Sequence, residues 1–447
     1  MIKAAVLAFA ILCQVAQAAD STTKWVGTWT TAQQLVEPNN NPPSPGLTNN
    51  TLRQVVRISI GGDTLRVKFS NDFSTSAVTM KSVSIAASKG GSAIDASTSK
   101  TLTFKGSPSV TMSANSSVVS DPVAFPASSR MDIAITIVFG QTSASVTGHP
   151  GSRTTSYILA GDKTASTDFA GSVKTEHWYA INTIDVLAPK SAGAVAILGN
   201  SITDGRGSTT DQQNRWPDIL SAALLGNAKT RQVGVLNLGI GGNWVLNGGG
   251  LGPSGVSRYQ RDILDQSGVK WVVVFEGVND IGSGGVNSAA AAKTKSDNLI
   301  AAYKDMISKA KAKGLKVYGA TIMAFNGNSY YNQHTESCRG TVNNWIRNGG
   351  FYDAVIDFDK LTRSASDTTK LGIATFQNDG LHPDAAGYKK MGESIDLELF
   401  VDPTAAVEPS SARPGHAKIA PKAAVTTQGR SLTTEYGAHR IDGTPAR

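Results

Sequence analysis

Cysteine is almost absent from this chain. Cys13 and Cys338 are its only two, and Cys13 falls in a segment that reads as a cleaved leader. No intrachain disulfide can then brace the mature protein. The fold must stand on its hydrophobic core, and the chain is long enough to build one. Cys338 reads as buried packing. Charge is thin too, at 17% of residues; the net charge is +8, yet the basic residues form no long run and have no aromatics interleaved. That excludes a nucleic-acid-binding surface and leaves a mildly basic exterior. No stretch after the leader is apolar for the roughly 18 residues a membrane helix needs, so no membrane span is expected. There is no Gly-Lys-Ser/Thr phosphate loop. The histidines keep no metal-ligand spacing and have no Cys cluster beside them, so neither cofactor nor metal is expected. A Gly-x-Ser-x-Gly elbow is missing as well, which argues against an α/β-hydrolase fold.

What is present divides into four stretches. Lys3, the apolar run Ala4–Val15 and the small-x-small site Ala16-Gln17-Ala18 predict a signal peptide over 1–18, hence export. From Trp25 to Pro189 the pattern has period two. Val56, Ile58 and Ile60 alternate with polar residues, Gly61-Gly62-Asp63 turns, and Leu65, Val67 and Phe69 alternate again. This predicts a hairpin with one buried face, within an antiparallel β-sandwich domain over 24–189. After Pro189, short apolar runs such as Ala194–Leu198, Gln232–Leu238 and Trp271–Phe275 alternate with helix-like segments near Arg215–Leu225, Tyr259–Gln266, Ala289–Lys313, Ser337–Arg347 and Asp384–Leu399. That predicts an α/β domain over 190–403 with a parallel sheet, its site at the carboxyl ends of the strands. The stretch 404–447 lacks an apolar pattern and reads as a disordered tail.

Four motifs fall at those strand ends or in the loop past the last one. They are Gly199-Asn200-Ser201, Asn237-Leu238-Gly239-Ile240-Gly241-Gly242, Gly277-Val278-Asn279-Asp280, and Asp379-Gly380-Leu381-His382-Pro383. Singly each is ordinary turn or cap chemistry. Together they supply what acyl transfer needs: a hydroxyl nucleophile, an imidazole to carry its proton, a carboxylate to orient the imidazole, and amide donors for an oxyanion.

These blocks resemble the four signature blocks of the GDSL/SGNH hydrolase family over roughly Ala194–Leu399. The resemblance implies a flavodoxin-like three-layer α/β/α domain that hydrolyses esters and thioesters. It implies Ser201 as nucleophile, His382 as general base and acid, and Asp379 as its orienting carboxylate. The oxyanion hole would be the N–H groups of Ser201 and Gly242 with the side-chain amide of Asn279. Asn200 departs from the family's usual Asp and carries no charge. Further motifs, Trp25-Val26-Gly27-Thr28-Trp29, Gly205-Arg206-Gly207-Ser208-Thr209 and Arg215-Trp216-Pro217, resemble a subgroup with an N-terminal β-domain that includes xylan acetylesterases.

The expectation is therefore a secreted or periplasmic serine esterase whose partner is an ester substrate such as acetylated plant polysaccharide, acetylxylan among them. Two alternatives stay open: a lipase or short-chain arylesterase with the same triad, and a carbohydrate-binding protein that has lost activity. Trp244, Tyr330, Tyr331, His334 and His149 are candidate substrate contacts. The oligomeric state is not legible.

Overall fold

Period-two alternation, with β-branched residues on the buried face, accounts for the first half of the chain. In this computed structural model, which describes residues 22–402, the main strands there are β1 (Thr23–Thr30), β2 (Asn50–Arg57), β3 (Gly62–Ser70), β4 (Val78–Gly90), β5 (Val123–Ala127), β6 (Asp132–Phe139), β7 (Ser156–Ala160) and β8 (Ile181–Pro189). They form two antiparallel sheets, one ordered β1–β8–β3–β5 and the other β7–β2–β6–β4, with shorter strands at their margins. The expected leader and tail lie outside the described residues.

One expectation needs correcting. β2 and β3 are not a hairpin, because β2 pairs with β6 and β7 while β3 pairs with β5 and β8. Gly61-Gly62 carries the chain from one sheet to the other. A Cβ at Gly61 would lie 2.2 Å from the carbonyl oxygen of Ala127, and one at Gly62 would lie 2.3 Å from Val186, so only glycine fits this corner. Alternation reports that each strand buries one face; it is the same whether the partner is the next strand or another sheet.

In the second half the strands are continuous apolar runs: β9 (Gly193–Gly199), β10 (Val233–Gly239), β11 (Val269–Phe275), β12 (Lys316–Ala320) and β13 (Ala354–Ile356). They make one parallel sheet ordered β10–β9–β11–β12–β13. The helices that position the site or cover the sheet are α1 (Ser201–Asp204), α2 (Trp216–Gly226), α3 (Val278–Gly282), α4 (Ala289–Ala312), α5 (Gln333–Asn348) and α6 (Ala385–Glu393). α2 packs against α6, and α4 against α5. The segment expected to be helical from Tyr259 instead begins at Gly255 and continues as a π turn over Gln260–Leu264. The expected last helix stops at Glu393.

Register sets the site. Gly199 of β9 pairs with both Gly239 of β10 and Phe275 of β11. The residues that follow these three strands therefore leave the sheet from one edge, side by side.

The two halves share one core. The buried apolar cluster runs without interruption from Val26 to Phe400, and the described residues belong to a single compact unit. The backbones of β1 and β10 touch: a Cβ at Gly234 would lie 2.2 Å from the Gly27 carbonyl oxygen. Nearby, the Val235 N–H donates to Ser59 Oγ at 3.0 Å, and the Gly27 N–H donates to the Ser267 carbonyl at 2.8 Å.

Candidate active site

The turn after β9 places Ser201. Asn200 is the N-cap of α1, its Oδ1 accepting the Ile202 N–H at 3.0 Å, the ordinary role of Asn at a helix start. Gly205 closes the single turn in the left-handed region, at φ 100°. Behind this turn lies Glu276, fully buried. Burial, reinforced by Asp280, pushes its carboxyl well above the usual carboxylate range against the opposing effects of Arg258, the Asn200 amide and the Gly277 N–H. Asn200 therefore does more than cap the helix, since its neutral side chain also works against the rise of a buried carboxyl group.

The loop after β10 is locked from below. The guanidinium of buried Arg258 donates to the carbonyls of Gly199 and Leu238, at 3.0 and 2.6 Å, and to Asn243 Oδ1 at 3.0 Å. The carboxylate of Asp280 accepts the N–H groups of Val245 and Leu246 at 2.8 and 2.9 Å. Charge-assisted bonds of this kind hold a loop far better than neutral ones. Gly242 lies in this loop at φ 69°. Asn279, on α3, donates from Nδ2 to the Asn243 carbonyl at 2.9 Å and accepts the Tyr330 hydroxyl at 3.1 Å.

The loop before α6 brings in the remaining two groups. His382 Nε2 lies 2.8 Å from Ser201 Oγ, and His382 Nδ1 lies 2.6 Å from Asp379 Oδ2. The Nδ1 proton on the carboxylate leaves Nε2 free to accept from the hydroxyl. Asp379 is itself fixed, because its Oδ1 accepts the N–H groups of Leu381 and His382 at 2.9 and 2.8 Å. Partial burial works to raise the Asp379 pKa, but the ring and backbone hydrogen bonds outweigh it and hold the carboxyl below its usual range. For His382 burial dominates. It pushes the imidazole below its ordinary 6.5, with Arg206 and Arg153 adding to the effect and Asp379 opposing it. The ring is therefore neutral at neutral pH, the form that can take a proton.

These groups open onto a cleft of about 700 Å³ bordered by Ser201, Gly242, Asn279, Asp379 and His382. Its other wall comes from the first half of the chain, through Gln34, Glu37, Asn40, Arg153 and His177. These residues come from a two-residue strand at Gln34–Leu35, a short turn at Pro38–Asn40 and two loops, segments too short to carry a sequence pattern of their own.

Of the candidate substrate contacts, only Tyr330 borders the cleft. His149 does not, because it is buried with Nδ1 2.8 Å from the Ala32 carbonyl and Nε2 2.8 Å from Asp204 Oδ1. Trp244 lies against Gly249 and Gly250, its Nε1 donating to Ser283 Oγ at 3.2 Å and Lys295 lying 4.8 Å from its ring centre. Tyr331 packs edge-on to Phe325 at 6.5 Å between centroids. His334 is in the first turn of α5, its N–H donating to the Asn332 cap at 2.8 Å. None of these four borders the cleft.

Comparison with solved structures gives matches of low identity. A GDSL-like lipase from Bacteroides thetaiotaomicron VPI-5482 is 17% identical, covers 46% of this chain and 85% of its own, and has a TM-score of 0.32. A carbohydrate acetylesterase family member from Sinorhizobium meliloti is 14% identical, with coverages of 46% and 97% and a TM-score of 0.35. A carbohydrate esterase family 2 enzyme plus carbohydrate binding domain from Corynascus thermopiles (Myceliophthora fergusii) is 13% identical, with coverages of 85% and 98% and a TM-score of 0.36. No curated protein matches the sequence. Residues 197–390, which carry every group of the hydrogen-bonded row and its amide donors, match the model of the GDSL-like Lipase/Acylhydrolase family.

Proposed function

We propose that this cleft hydrolyses carboxylic esters through an acyl-serine intermediate. One observation carries the reading: Ser201 Oγ, the His382 imidazole and the Asp379 carboxylate stand in a hydrogen-bonded row, at 2.8 and 2.6 Å, open to a cleft. His382 Nε2 takes the hydroxyl proton as Ser201 Oγ bonds to the ester carbonyl carbon. The carbonyl oxygen becomes an oxyanion, received by the N–H groups of Ser201 and Gly242 and by the second amide proton of Asn279. His382 returns the proton to the alcohol oxygen as the carbon–oxygen bond breaks. A water then repeats the sequence, giving its proton to His382 and releasing the acid, and Ser201 regains its hydrogen. Asp379 holds the imidazole tautomer and stabilises the imidazolium in both halves.

The substrate in this reading is a short-chain ester of a carbohydrate, an acetylated polysaccharide such as acetylxylan, met outside the cell after export through the 1–18 leader. Two features support it. The cleft is bordered by Gln34, Asn40, Asn328 and Tyr330, side chains suited to sugar hydroxyls, with Leu251 and Leu381 as its larger aliphatic residues. A long-chain lipase would need a more continuous apolar channel. The parallel order β10–β9–β11–β12–β13 and the helix pairs α2/α6 and α4/α5 support a three-layer SGNH domain over 190–403, joined to a β-sandwich domain over 24–189.

The test is Ser201→Ala, which should abolish hydrolysis of p-nitrophenyl acetate while the circular dichroism spectrum stays unchanged. Wild-type rates in that variant would remove Ser201 from the mechanism. Acetate should be released from acetylxylan faster than fatty acid from long-chain esters, and the reverse order would favour the lipase.

A further inference from the structure

The cleft carries two positive charges that ester hydrolysis does not use. Arg153, from the first half of the chain, and Arg206, five residues past Ser201, both border it. Neither guanidinium has a carboxylate partner among the described residues. The acids nearby are already engaged. Glu37 accepts from Gln34 and Asn40 at 2.6 and 3.0 Å. Asp204 faces His149 at 2.8 Å, and Asp379 faces His382 at 2.6 Å. Asp211, whose N–H donates to the Arg153 carbonyl, has its own carboxylate bonded by Thr155 through N–H and Oγ1, both at 2.7 Å.

Arg153 is also held in place. Its backbone sits in the left-handed region at φ 49°, which a long side chain adopts only when its surroundings impose it. The Ser152–Thr154 turn imposes it here, with Ser152 Oγ donating to the Thr154 carbonyl at 2.8 Å and the Thr154 N–H donating to Ser152 Oγ at 3.2 Å. The Arg153 Nε is buried with no hydrogen-bond partner. Arg206 is exposed at the mouth, its guanidinium 6.0 Å from the Phe376 ring centre. Its backbone is fixed by the Tyr388 hydroxyl on its carbonyl at 2.7 Å and by its own N–H on the Ser201 carbonyl at 2.9 Å. Both arginines lie close enough to His382 to act on its charge.

We propose that Arg153 and Arg206 form an anion subsite beside Ser201, and that the ester's alcohol is an acidic sugar whose carboxylate lies near the acylated hydroxyl. This deepens the esterase reading and rests on it. Planar guanidiniums suit a carboxylate, and the polar wall around them suits the sugar ring that carries it.

The experiment compares two probes acetylated at the same ring carbon, methyl galactopyranosiduronate and methyl galactopyranoside, which differ only at C6. Wild-type enzyme should show kcat/KM about tenfold higher on the uronate, mostly through KM, and 0.5 M salt should shrink that ratio through screening. Arg153→Gln and Arg206→Gln should each bring the ratio toward one. Arg153 holds a strained turn, so if its variant fails to fold, Arg206→Gln decides alone. Equal kcat/KM on the two probes in the wild type, or a ratio unmoved by Arg206→Gln, overturns the subsite. Failure of the wild type to hydrolyse p-nitrophenyl acetate instead overturns the esterase reading, which separates the two.

Discussion

The imidazole of His149 and the carboxylate of Asp204 meet at 2.8 Å in the interior, and the other ring nitrogen of His149 meets the Ala32 carbonyl at 2.8 Å. Satisfying both acceptors takes a proton on each nitrogen, or one on the carboxyl. Asp204 is the last residue of α1, which begins at Ser201. The pair therefore ties the β half of the chain directly to the turn that bears the hydroxyl. Gly151 leaves room for it, since a Cβ there would lie 1.8 Å from Asp204 Oδ2.

His149→Ala should accordingly leave the buried Asp204 carboxyl group without its partner. Leaving a buried polar group unpaired costs about 1–3 kcal/mol, so denaturant unfolding should show a lower midpoint with an unchanged slope. Hydrolysis of p-nitrophenyl acetate should fall with it, because α1 loses its outer anchor. An unfolding midpoint equal to wild type would mean the pair holds nothing in place.

The pH profile follows from His382. Neutral imidazole is the reactive form, and burial with two nearby arginines pushes its pKa below 6.5. Activity is then full above that range and falls as pH drops through the lowered pKa, so the acid limb of kcat/KM should have its midpoint below about 6.5. Asp379→Asn should keep the fold and cut kcat by about 10⁴-fold, because the tautomer with its proton on Nδ1 is no longer favoured. A midpoint at or above 7 would contradict the electrostatics of the site.

Ser201, Asp379 and His382 were not legible singly, since each motif is ordinary turn or cap chemistry; they stood out because four motifs fall in one order at the strand ends and in the loop past the last one. The parallel sheet was legible, since β11 is nearly all apolar. The Gly61-Gly62 corner was not, because alternation specifies a buried face and not the sheet that covers it. The far wall of the cleft was not legible either. Gln34, from a two-residue strand, and His177, from a loop, reach the site through tertiary packing, and nothing local marks them. His149 was a substrate candidate because its loop, with Pro150, Gly151 and Arg153, could reach across to the cleft; the loop does border it, but the His149 ring turns inward to Ala32 and Asp204.

Asn200 offers a direct comparison with the family's usual Asp. Asn200→Asp keeps the cap, because either side chain accepts the Ile202 N–H. It replaces the neutral amide that opposes the rise in the Glu276 pKa, and sets a second carboxyl against one already held well above its ordinary range by burial. Carboxyls with raised folded-state pKa destabilise a protein as pH rises through their unfolded values. The variant should lose about 1–3 kcal/mol at pH 7 and recover much of that near pH 4. Equal stability to wild type at pH 7 would show that Glu276 does not need a neutral neighbour.

Gly234 tests whether the β half braces the parallel sheet. Its Cα lies against the backbone of β1, and an added methyl would have to displace the Gly27 carbonyl from 2.2 Å. No flexible side chain is there to yield. Gly234→Ala should therefore push β1 away from β10, weaken the Val235–Ser59 bond at 3.0 Å, and cost about 1–3 kcal/mol as overpacking does. The two halves share one continuous core, so the loss should appear in a single cooperative unfolding transition, read alike by tryptophan fluorescence and far-ultraviolet circular dichroism. Two separated transitions, with only the first shifted, would mean that the β half folds on its own and merely rests on the sheet.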